Sequence, residues 1–425
     1  MHRRNTLQRL VGIAAATAAL FGPLAVPATV RAAPSGVPVA SAVASFDPAA
    51  DDLALGQFGS CAVRFDTRVV CWGMRPLGSE FDGTYSVEPI VVPGLVGATG
   101  VAVGQDHACA VLDTGLVQCW GENSSHELGD DTDVSSVEPT LRYPLYGPVM
   151  EDRFPLRATQ VAVSAGFSCA VTSARHVACW GSNIEGQTAQ TYWPISPYVN
   201  DVGGVVNAVY VGTGADHACA LIATGNVKCW GSNAYGQSGY PIGTTWESPG
   251  YPTEGQTVAG ISNATALAVG GNHTCALLSD HTVKCWGANY AGQTGDGSTS
   301  NHSDPRQVVG LSNVVSLAAG RNFTCAAIDD GTVECWGDID TVDGTSITAA
   351  TVPWVGHTSR LHSGGHGICA VVETTRVQCW GDNSHGEIGI WVVGAYVNAP
   401  AQVSGLTSGV TAIAAGENVS CAVVS

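Results

Sequence analysis

Residues 275–287 read CALLSDHTVKCWG, in which two cysteines stand ten positions apart and Trp-Gly follows the second. The same spacing and the same Trp-Gly recur along the chain. The pairs are Cys61 and Cys71, Cys109 and Cys119, Cys169 and Cys179, Cys219 and Cys229, Cys275 and Cys285, Cys325 and Cys335, and Cys369 and Cys379. First cysteines follow one another at intervals from 44 residues (325 to 369) to 60 residues (109 to 169), which is the range of a propeller blade.

The spacing of the paired cysteines predicts a β-hairpin in each repeat. Nine intervening residues form a hairpin that is symmetrical about a three-residue loop, so the two cysteines lie opposite each other. The last loop residue should be left-handed, and Gly115, Gly225 and Gly331 hold that place, with His281 in the quoted stretch. Facing Cβ atoms lie about 4.5–5.5 Å apart, which is close to the separation in a disulfide.

Metal binding and thiol redox chemistry are the alternatives to a disulfide. Structural zinc sites favour cysteines two to four residues apart, and a Cys-x-x-Cys redox motif is absent from the sequence. His107, His217 and His273 stand two residues before a cysteine, but Phe167 and Phe323 take the same place in other repeats. A metal ligand would not alternate with phenylalanine. The pattern therefore favours disulfides, and we expect no metal and no cofactor.

The charge balance argues against nucleic acid as a partner. The chain has 17 Lys and Arg residues against 35 Asp and Glu, for a net charge of −18. Phosphate binding needs a basic surface, which so few cations spread over 425 residues do not provide. The hydrophobic content of 45% and the 53 glycines are typical of an ordered, turn-rich β protein.

The N-terminus has the order of a secretory signal. Arg3, Arg4 and Arg9 precede an apolar run, and small residues follow as far as Ala32. This order predicts a signal peptide over residues 1–32, a short linker over 33–50 and a repeat domain over 51–425. We expect a secreted or cell-surface protein, without a membrane span in the mature chain, in a compartment where disulfides persist.

Residues 268–295 follow the pattern A-x-G-x-N-H-T-C-A-L-x5-V-x-C-W-G-x-N-x-x-G-Q-x-G, with His281 at the place of a central glycine. This unit resembles the regulator of chromosome condensation repeat family, and the resemblance covers about residues 51–425. The cysteine pairs are similar to those of the secreted bacterial branch of that family. The resemblance implies an all-β propeller with one four-stranded blade per repeat and a disulfide across a hairpin in each.

The repeat array ends on an incomplete repeat. Seven complete repeats are followed by a partial eighth, in which Cys421 has no second cysteine after it. We predict a seven-bladed propeller in which the final strands complete a blade begun at the N-terminus, because such a closure hides edge strands. The alternative is that the sequence is a fragment of a longer repeat protein.

Binding residues are expected in the loops that do not repeat. The aromatic residues of these connections are candidates, because exposed aromatics are common interface hot spots. Packing of the same residues on outer strands is the competing interpretation. The candidates are Phe81, Tyr85, Tyr143, Tyr146, Tyr192, Trp193, Tyr198, Tyr240, Trp246, Tyr251, Trp354, Trp391 and Tyr396.

The sequence carries no catalytic motif that we recognise, although a glycosidase carboxylate pair could stand among its many acids. Acidic loops such as the one at Asp130 are more typical of solvated turns than of calcium sites. Eukaryotic relatives in the resembled family act as exchange factors for a small GTPase, and a bacterial group includes β-lactamase inhibitors. We do not expect exchange activity, because that role requires a nuclear GTPase and basic chromatin contacts.

Our first hypothesis is a secreted, non-catalytic propeller that binds an extracellular or cell-surface protein. The alternatives are an extracellular hydrolase that acts on glycans and a secreted inhibitor of an enzyme such as a β-lactamase.

Overall fold

The computed structural model describes residues 53–55, 59–63, 67–74, 85–105, 107–130, 132–141, 156–190, 195–242, 254–338, 345–365, 367–373, 376–381, 397–402, 410–415 and 420–424. The chain divides into two units, Met1–Ala42 and Val43–Ser425, and all described residues belong to the second. The segments expected to form a signal peptide and a linker lie outside the described residues. No helix in the described ranges has the length and apolar character needed to cross a membrane.

The described residues form antiparallel sheets of consecutive strands, which we number in chain order. Sheet 1 contains β1 (Leu53–Leu55), β2 (Gly59–Val63), β3 (Val69–Met74) and β4 (Tyr85–Val91). Sheet 2 contains β5 (Ala98–Val103), β6 (His107–Leu112), β7 (Val117–Gly121) and β8 (Ser136–Leu141). Sheet 3 contains β9 (Ala158–Val163), β10 (Phe167–Thr172), β11 (His176–Ser182) and β12 (Ile195–Val206). Sheet 4 contains β13 (Ala208–Thr213), β14 (His217–Ile222), β15 (Val227–Gly231) and β16 (Gln256–Thr257).

The later repeats continue the same order. Sheet 5 contains β17 (Ala264–Val269), β18 (His273–Leu278), β19 (Val283–Gly287) and β20 (His302–Gln307). Sheet 6 contains β21 (Val314–Ala319), β22 (Phe323–Ile328), β23 (Val333–Gly337) and β24 (Ser346–Thr351). Sheet 7 contains β25 (Thr358–Gly364), β26 (Gly367–Val372), β27 (Arg376–Gly381) and β28 (Val397–Gln402). Sheet 8 contains β29 (Val410–Ala415) and β30 (Ser420–Val424).

The sheets form a propeller, because the first strand of each packs against the first strand of the next. Side chains on both faces of the second and third strands are buried between neighbouring sheets. Between sheets 3 and 4, for example, the buried layer contains Phe167, Val177, Val211 and Trp230. The expected all-β propeller is therefore confirmed.

Each four-stranded sheet has a disulfide between its second and third strands, as the spacing predicts. Cys275 pairs with Cys285 in register, and their Cα atoms are 4.1 Å apart. The other predicted pairs are bonded in the same way. His281 occupies the left-handed loop position with a φ of 63°. The side chain of Cys421 lies outside the described residues.

The predicted seven-bladed ring, with the final strands completing a blade begun at the N-terminus, is wrong. Sheet 1 is already complete with β1 to β4, and β29 and β30 pair only with each other. The β29–β30 hairpin packs as a separate sheet between β25 and β1. The side chains that the structure describes form six apolar layers between successive sheets, from sheet 1 to sheet 7. The physical reason is that sheet 1 takes all four of its strands from consecutive segments of the first repeat. No strand position in this sheet is left for the C-terminal strands.

Candidate functional site

The propeller has two faces that differ in what they present. Strands alternate in direction, so the turns between first and second strands share an edge with the loops between third and fourth strands. We call this side the loop face. The opposite side, the turn face, carries the turns between second and third strands and the connections from one sheet to the next. Backbone hydrogen bonds such as Ala215 N to Gly271 O, at 2.9 Å, join successive turns of the loop face.

The repeated polar residues of the loop face stabilise their own loops. In sheet 5, the side-chain oxygen of Asn289 accepts a 3.0 Å hydrogen bond from Thr294 N. The side-chain oxygen of Gln293 accepts a 2.9 Å bond from Ala291 N. The carbonyl of Gln293 accepts a 2.9 Å bond from Nε1 of Trp336 in sheet 6. The Gly-x-Asn-x-x-Gly-Gln motif is therefore a structural element that links neighbouring sheets.

The histidines that precede cysteines are also structural. Nε2 of His217 lies 2.9 Å from the Thr274 hydroxyl of the next sheet, and His273 makes the same contact with Thr324 at 2.8 Å. Burial lowers the pKa of His217 to about 3 and that of His273 to about 4, so both rings are neutral. In the described ranges, no group of three or more His, Cys, Asp or Glu residues is placed to hold a metal ion.

Two of the predicted binding residues have described side chains, Tyr240 and Trp354. The Tyr240 side chain is half-buried, and its hydroxyl donates a 3.2 Å hydrogen bond to the Gly231 carbonyl in its own loop. Burial raises the pKa of Tyr240 to about 12. For Tyr85 and Tyr198 the structure describes the backbone alone, in β4 and β12. The other candidates lie outside the described residues: Phe81, Tyr143, Tyr146, Tyr192, Trp193, Trp246, Tyr251, Trp391 and Tyr396.

Trp354 is the most exposed of the large apolar side chains that the structure describes, at 80%. It lies on the turn face, in the connection between sheets 6 and 7. Equivalent connections place Gly94, Gly260 and Gly310 at this position, with φ of 71°, 82° and 81°. Trp354 has a φ of 72°, a left-handed conformation that is unfavourable for a bulky residue. A Cβ at any of the three glycines meets no atom within 4 Å, so this position points a side chain into solvent.

The turn that presents Trp354 is held firmly by its own sheet. Gly356 N donates a 2.9 Å hydrogen bond to the Gln378 side chain, whose Nε2 donates to the Trp354 carbonyl at 3.4 Å. Val355 packs against the apolar layer between sheets 6 and 7. The backbone on both sides of the exposed indole is therefore fixed. A turn whose backbone is already fixed loses little backbone entropy when a partner covers its side chain.

Two exposed aromatics on the loop face were not among the predicted candidates. The rings of Tyr235 and Tyr290 meet edge to face with centroids 6.2 Å apart, and the Tyr290 hydroxyl donates to Asn322 at 2.7 Å. Both tyrosines stand within the repeated Gly-x-Asn-x-x-Gly-Gln loop, whereas we expected binding residues in the loops that do not repeat. The two residues between Asn and Gly of that motif differ from sheet to sheet and are, for example, Ile184 and Glu185 in sheet 3. This variation is the feature of the sequence that could have indicated the two tyrosines.

The carboxyls with raised pKa values do not assemble into an open catalytic pair among the described residues. Burial raises the pKa of Glu127, Asp216 and Glu334, and these residues belong to sheets 2, 4 and 6. Glu122 is close enough to raise the pKa of Glu127 further. Both of these glutamates are buried within one loop, so a sugar ring has no open access to the pair.

Comparisons with known proteins agree with the repeat architecture. A sequence profile of the regulator of chromosome condensation (RCC1) repeat matches residues 98–127, 158–187, 208–237 and 264–293. A second profile of the same repeat matches residues 280–327. No protein with a curated description matches the sequence of this chain.

Solved structures share the fold at low sequence identity. The chain is similar to yeast RCC1 (Prp20), solved with Kap60, with a TM-score of 0.70 at 20% identity, over 94% of this chain and 97% of that one. A second structure is Prp20p from Saccharomyces cerevisiae, described with its binding to Gsp1p and histones. It has the same TM-score and identity, over 90% of this chain and 94% of that one. The structure of human WBSCR16 has a TM-score of 0.62 at 21% identity, over 76% of this chain and 86% of that one.

Proposed function

Because this chain carries regulator of chromosome condensation (RCC1) repeats folded as a β-propeller, we propose that it is a non-catalytic scaffold that binds another protein through the turn around Trp354. The proposal rests on the exposure of the Trp354 side chain and on its left-handed backbone. A left-handed backbone costs a non-glycine residue roughly 1–2 kcal/mol, and glycine avoids that cost in three equivalent turns. The chain instead places a tryptophan there, and tryptophan is one of the residue types enriched in interface hot spots.

The compartment forms part of the proposal. Residues 1–32 have the order of a signal peptide, and disulfides persist in oxidising compartments. The bonded cysteine pairs support export, and the partner is then an extracellular or cell-surface protein.

Three other functions compete with this one. An inhibitor of an enzyme such as a β-lactamase is a special case of a protein-binding scaffold. A glycan hydrolase needs paired carboxyls that a substrate can reach. Guanine-nucleotide exchange is the role of some propellers in the resembled family, and the solved Prp20p is described with its binding to Gsp1p. Turnover assays on glycans and an exchange assay on a small GTPase separate these activities from simple binding.

The test compares the mature, disulfide-bonded chain with the variant Trp354→Gly. This substitution restores the residue of the equivalent turns, so we expect the variant to be more stable than the parent by about 1 kcal/mol. Extracellular and surface proteins are passed over both immobilised chains, and captured proteins are identified and then titrated individually. We expect the specific partner to be retained by the parent and lost from Trp354→Gly.

A matched control is Tyr290→Ala, which removes an exposed aromatic from the opposite face. Equal affinity of one partner for the parent and for Trp354→Gly would overturn the proposed site. Turnover on a glycan panel with no captured protein would overturn the scaffold function.

A further inference from the structure

Successive sheets meet near the loop face through one buried pair of side chains that differs from boundary to boundary. The pair joins the residue two positions before the first cysteine of one repeat to the residue immediately before the first cysteine of the next. Histidine is paired with a hydroxyl residue in His107 with Ser168, His217 with Thr274 and His273 with Thr324. Phenylalanine shares a buried layer with an apolar residue in Phe167 with Ala218 and Phe323 with Ile368. We call these two kinds the histidine boundary and the phenylalanine boundary.

Sheet 5 has a histidine boundary on both of its sides. Nε2 of His217 in sheet 4 lies 2.9 Å from the Thr274 hydroxyl of sheet 5. Nε2 of His273 in sheet 5 lies 2.8 Å from the Thr324 hydroxyl of sheet 6. Sheets 3, 4 and 6 each have one histidine boundary and one phenylalanine boundary. The attachment of sheet 5 therefore depends on histidine more than that of its neighbours.

Both rings fit their boundary only in the neutral form. The Thr324 hydroxyl donates a 3.1 Å hydrogen bond to the Gln293 carbonyl, so Nε2 of His273 is the donor in its own contact with that hydroxyl. Nδ1 of His273 is buried and has no hydrogen-bond partner among the described residues, and the same holds for Nδ1 of His217. A second proton would place a charged N–H group at Nδ1, and a buried charged donor without a partner is costly.

The backbone leaves no space beside either ring for an ion that would offset the charge. A Cβ built at Gly270 would lie 2.2 Å from Cε1 of His273 and 2.7 Å from the Gly320 carbonyl oxygen. A Cβ built at Gly214 would lie 2.5 Å from Nδ1 of His217 and 2.6 Å from the Gly270 carbonyl oxygen. Since a methyl group does not fit there, a hydrated ion fits only after the boundary has opened.

The charged side chains of the surrounding turns do not favour protonation of the two rings either. Asp216 precedes His217 in the chain, but its carboxyl accepts a 3.4 Å hydrogen bond from a glutamine of sheet 3. In sheet 6, the charges of Arg321 and Asp338 act on the Tyr290 hydroxyl. The described groups therefore give neither histidine a carboxylate partner.

The closed boundaries bind a proton far less readily than a solvated histidine does. Burial lowers the pKa of His217 to about 3, with a smaller effect of the His273 charge, and burial lowers the pKa of His273 to about 4. In water, the pKa of histidine is about 6.5. A ring that becomes exposed at pH 4.5 therefore takes up a proton, which raises the equilibrium constant of opening by roughly 100-fold for each ring. The effect begins below a pH of about 6.5 and grows as the pH falls.

We propose that sheet 5 is an acid-responsive element of the ring, in which protonation of His217 and His273 opens its two boundaries locally while the phenylalanine boundaries stay closed. This device does not depend on the function proposed for the Trp354 turn. Tyr235 and Tyr290 meet across the boundary between sheets 4 and 5, so its opening also separates these two rings. Mild acid thereby changes the loop face at sheets 4 and 5 without unfolding the propeller.

The test measures exchange of the indole N–H protons by nuclear magnetic resonance, on the mature, disulfide-bonded chain with nitrogen-15 in its tryptophans. Nε1 of Trp286 bonds across the boundary of sheets 4 and 5, and Nε1 of Trp336 bonds across the boundary of sheets 5 and 6. Nε1 of Trp230 makes the same bond across the phenylalanine boundary of sheets 3 and 4. Each exchange rate is divided by that of an exposed indole at the same pH, which gives the opening constant of one boundary.

Between pH 7.5 and pH 4.5, we expect the opening constant to rise about 100-fold at Trp286 and Trp336 and less than about threefold at Trp230. An equal rise at all three indoles would mean that acid unfolds the whole ring, and the proposal would fail. It would also fail if none of the three opening constants changed.

Two double variants replace a histidine boundary with a phenylalanine pair that the chain already contains. His217→Phe/Thr274→Ala introduces the pair that joins sheets 3 and 4. His273→Phe/Thr324→Ile introduces the pair that joins sheets 6 and 7. Thermal unfolding at pH 7.5 checks that both variants retain the fold.

Each variant is the control for the other. The substitution between sheets 4 and 5 should abolish the acid response at Trp286 and keep it at Trp336, and the substitution between sheets 5 and 6 should do the reverse. An acid response that persists at the substituted boundary would overturn the proposal.

Discussion

Nε1 of Trp230 donates a 2.9 Å hydrogen bond to the backbone carbonyl of Gln187, which belongs to the preceding sheet. The same bond joins Trp180 to Glu127 at 2.7 Å and Trp286 to Gln237 at 3.0 Å. In sheets 3 to 6, the tryptophan of the Cys-Trp-Gly step therefore attaches its sheet to the loop of the sheet before it. Because the acceptor is a backbone carbonyl, the bond is also made where Glu127 stands in place of the glutamine.

Trp230→Phe tests the contribution of this contact to stability. The substitution keeps most of the buried ring but leaves the Gln187 carbonyl without its donor. We expect the free energy of unfolding to fall by about 1–3 kcal/mol, the cost of a buried polar group without a partner. Urea unfolding followed by fluorescence measures the change. Trp354→Phe is the control, and an equal loss in that exposed position would contradict the explanation.

The buried histidines should make stability depend on pH. Burial lowers the pKa of His217 to about 3 and of His273 to about 4, whereas the unfolded chain titrates near 6.5. The unfolded state therefore binds more protons than the folded state below pH 6.5, so stability falls as the pH falls. Above pH 6.5 their contribution is complete, and below it each residue costs about 1.4 kcal/mol per pH unit down to its folded pKa.

Replacing both histidines with phenylalanine, the residue that stands at 167 and 323, should reduce this dependence. The measurement is the urea midpoint of His217→Phe/His273→Phe and of the parent chain at several pH values between 4.5 and 7.5. An unchanged pH slope in the double variant would show that other groups control acid stability.

The disulfide of the quoted stretch should stabilise its hairpin modestly. Cys275 and Cys285 close a short loop, so their bond restricts the unfolded chain less than a long-range bond does. Cys275→Ala/Cys285→Ala should lower the free energy of unfolding by about 2–3 kcal/mol and leave the remaining disulfides formed. Unfolding in denaturant and mass spectrometry of alkylated protein provide the two readouts. Loss of the other disulfides in the variant would indicate that the hairpins depend on one another.

Substitution by alanine should lower the free energy of unfolding by different amounts at two glycines, Gly310 and Gly270. Gly310→Ala places its methyl group in open space and should cost only the left-handed backbone penalty of about 1 kcal/mol. Gly270→Ala brings a Cβ against the His273 ring and within 2.7 Å of the Gly320 carbonyl. We expect its cost to exceed about 3 kcal/mol, as for other substitutions that overpack a buried layer. Thermal unfolding of both variants measures the difference, and similar values would contradict the packing at Gly270.

Much of the fold could be predicted from the sequence, because the repeat is short and its signals are local. The Cys-x9-Cys spacing determines a symmetrical hairpin, and Cys275 and Cys285 pair in register as expected. The blade count could not be predicted in this way. It depends on where β29 and β30 pack, and their own sequence resembles the first half of any other repeat.

The candidate site was only partly predictable. Trp354 stood out as an aromatic outside the repeated motif, whereas Tyr235 and Tyr290 were hidden inside it. Their contact joins loops of two different sheets, and no local pattern reports which residues of neighbouring repeats meet. Tyr240 was a predicted binding residue because it lies in a variable loop. Its hydroxyl instead donates a hydrogen bond to the carbonyl of Gly231, at the end of β15.

The sequence by itself determined the repeat, the hairpins and the disulfides, since these depend on strand alternation and on residues at most ten positions apart. Only the tertiary structure decided which side chains face solvent and which meet between sheets. That choice depends on the packing of residues from different repeats, such as Trp230 on Gln187, which are 43 positions apart, and on the turn conformation that exposes Trp354. The physical reason is that burial and charge clustering are properties of the assembled ring, whereas spacing is a property of the chain.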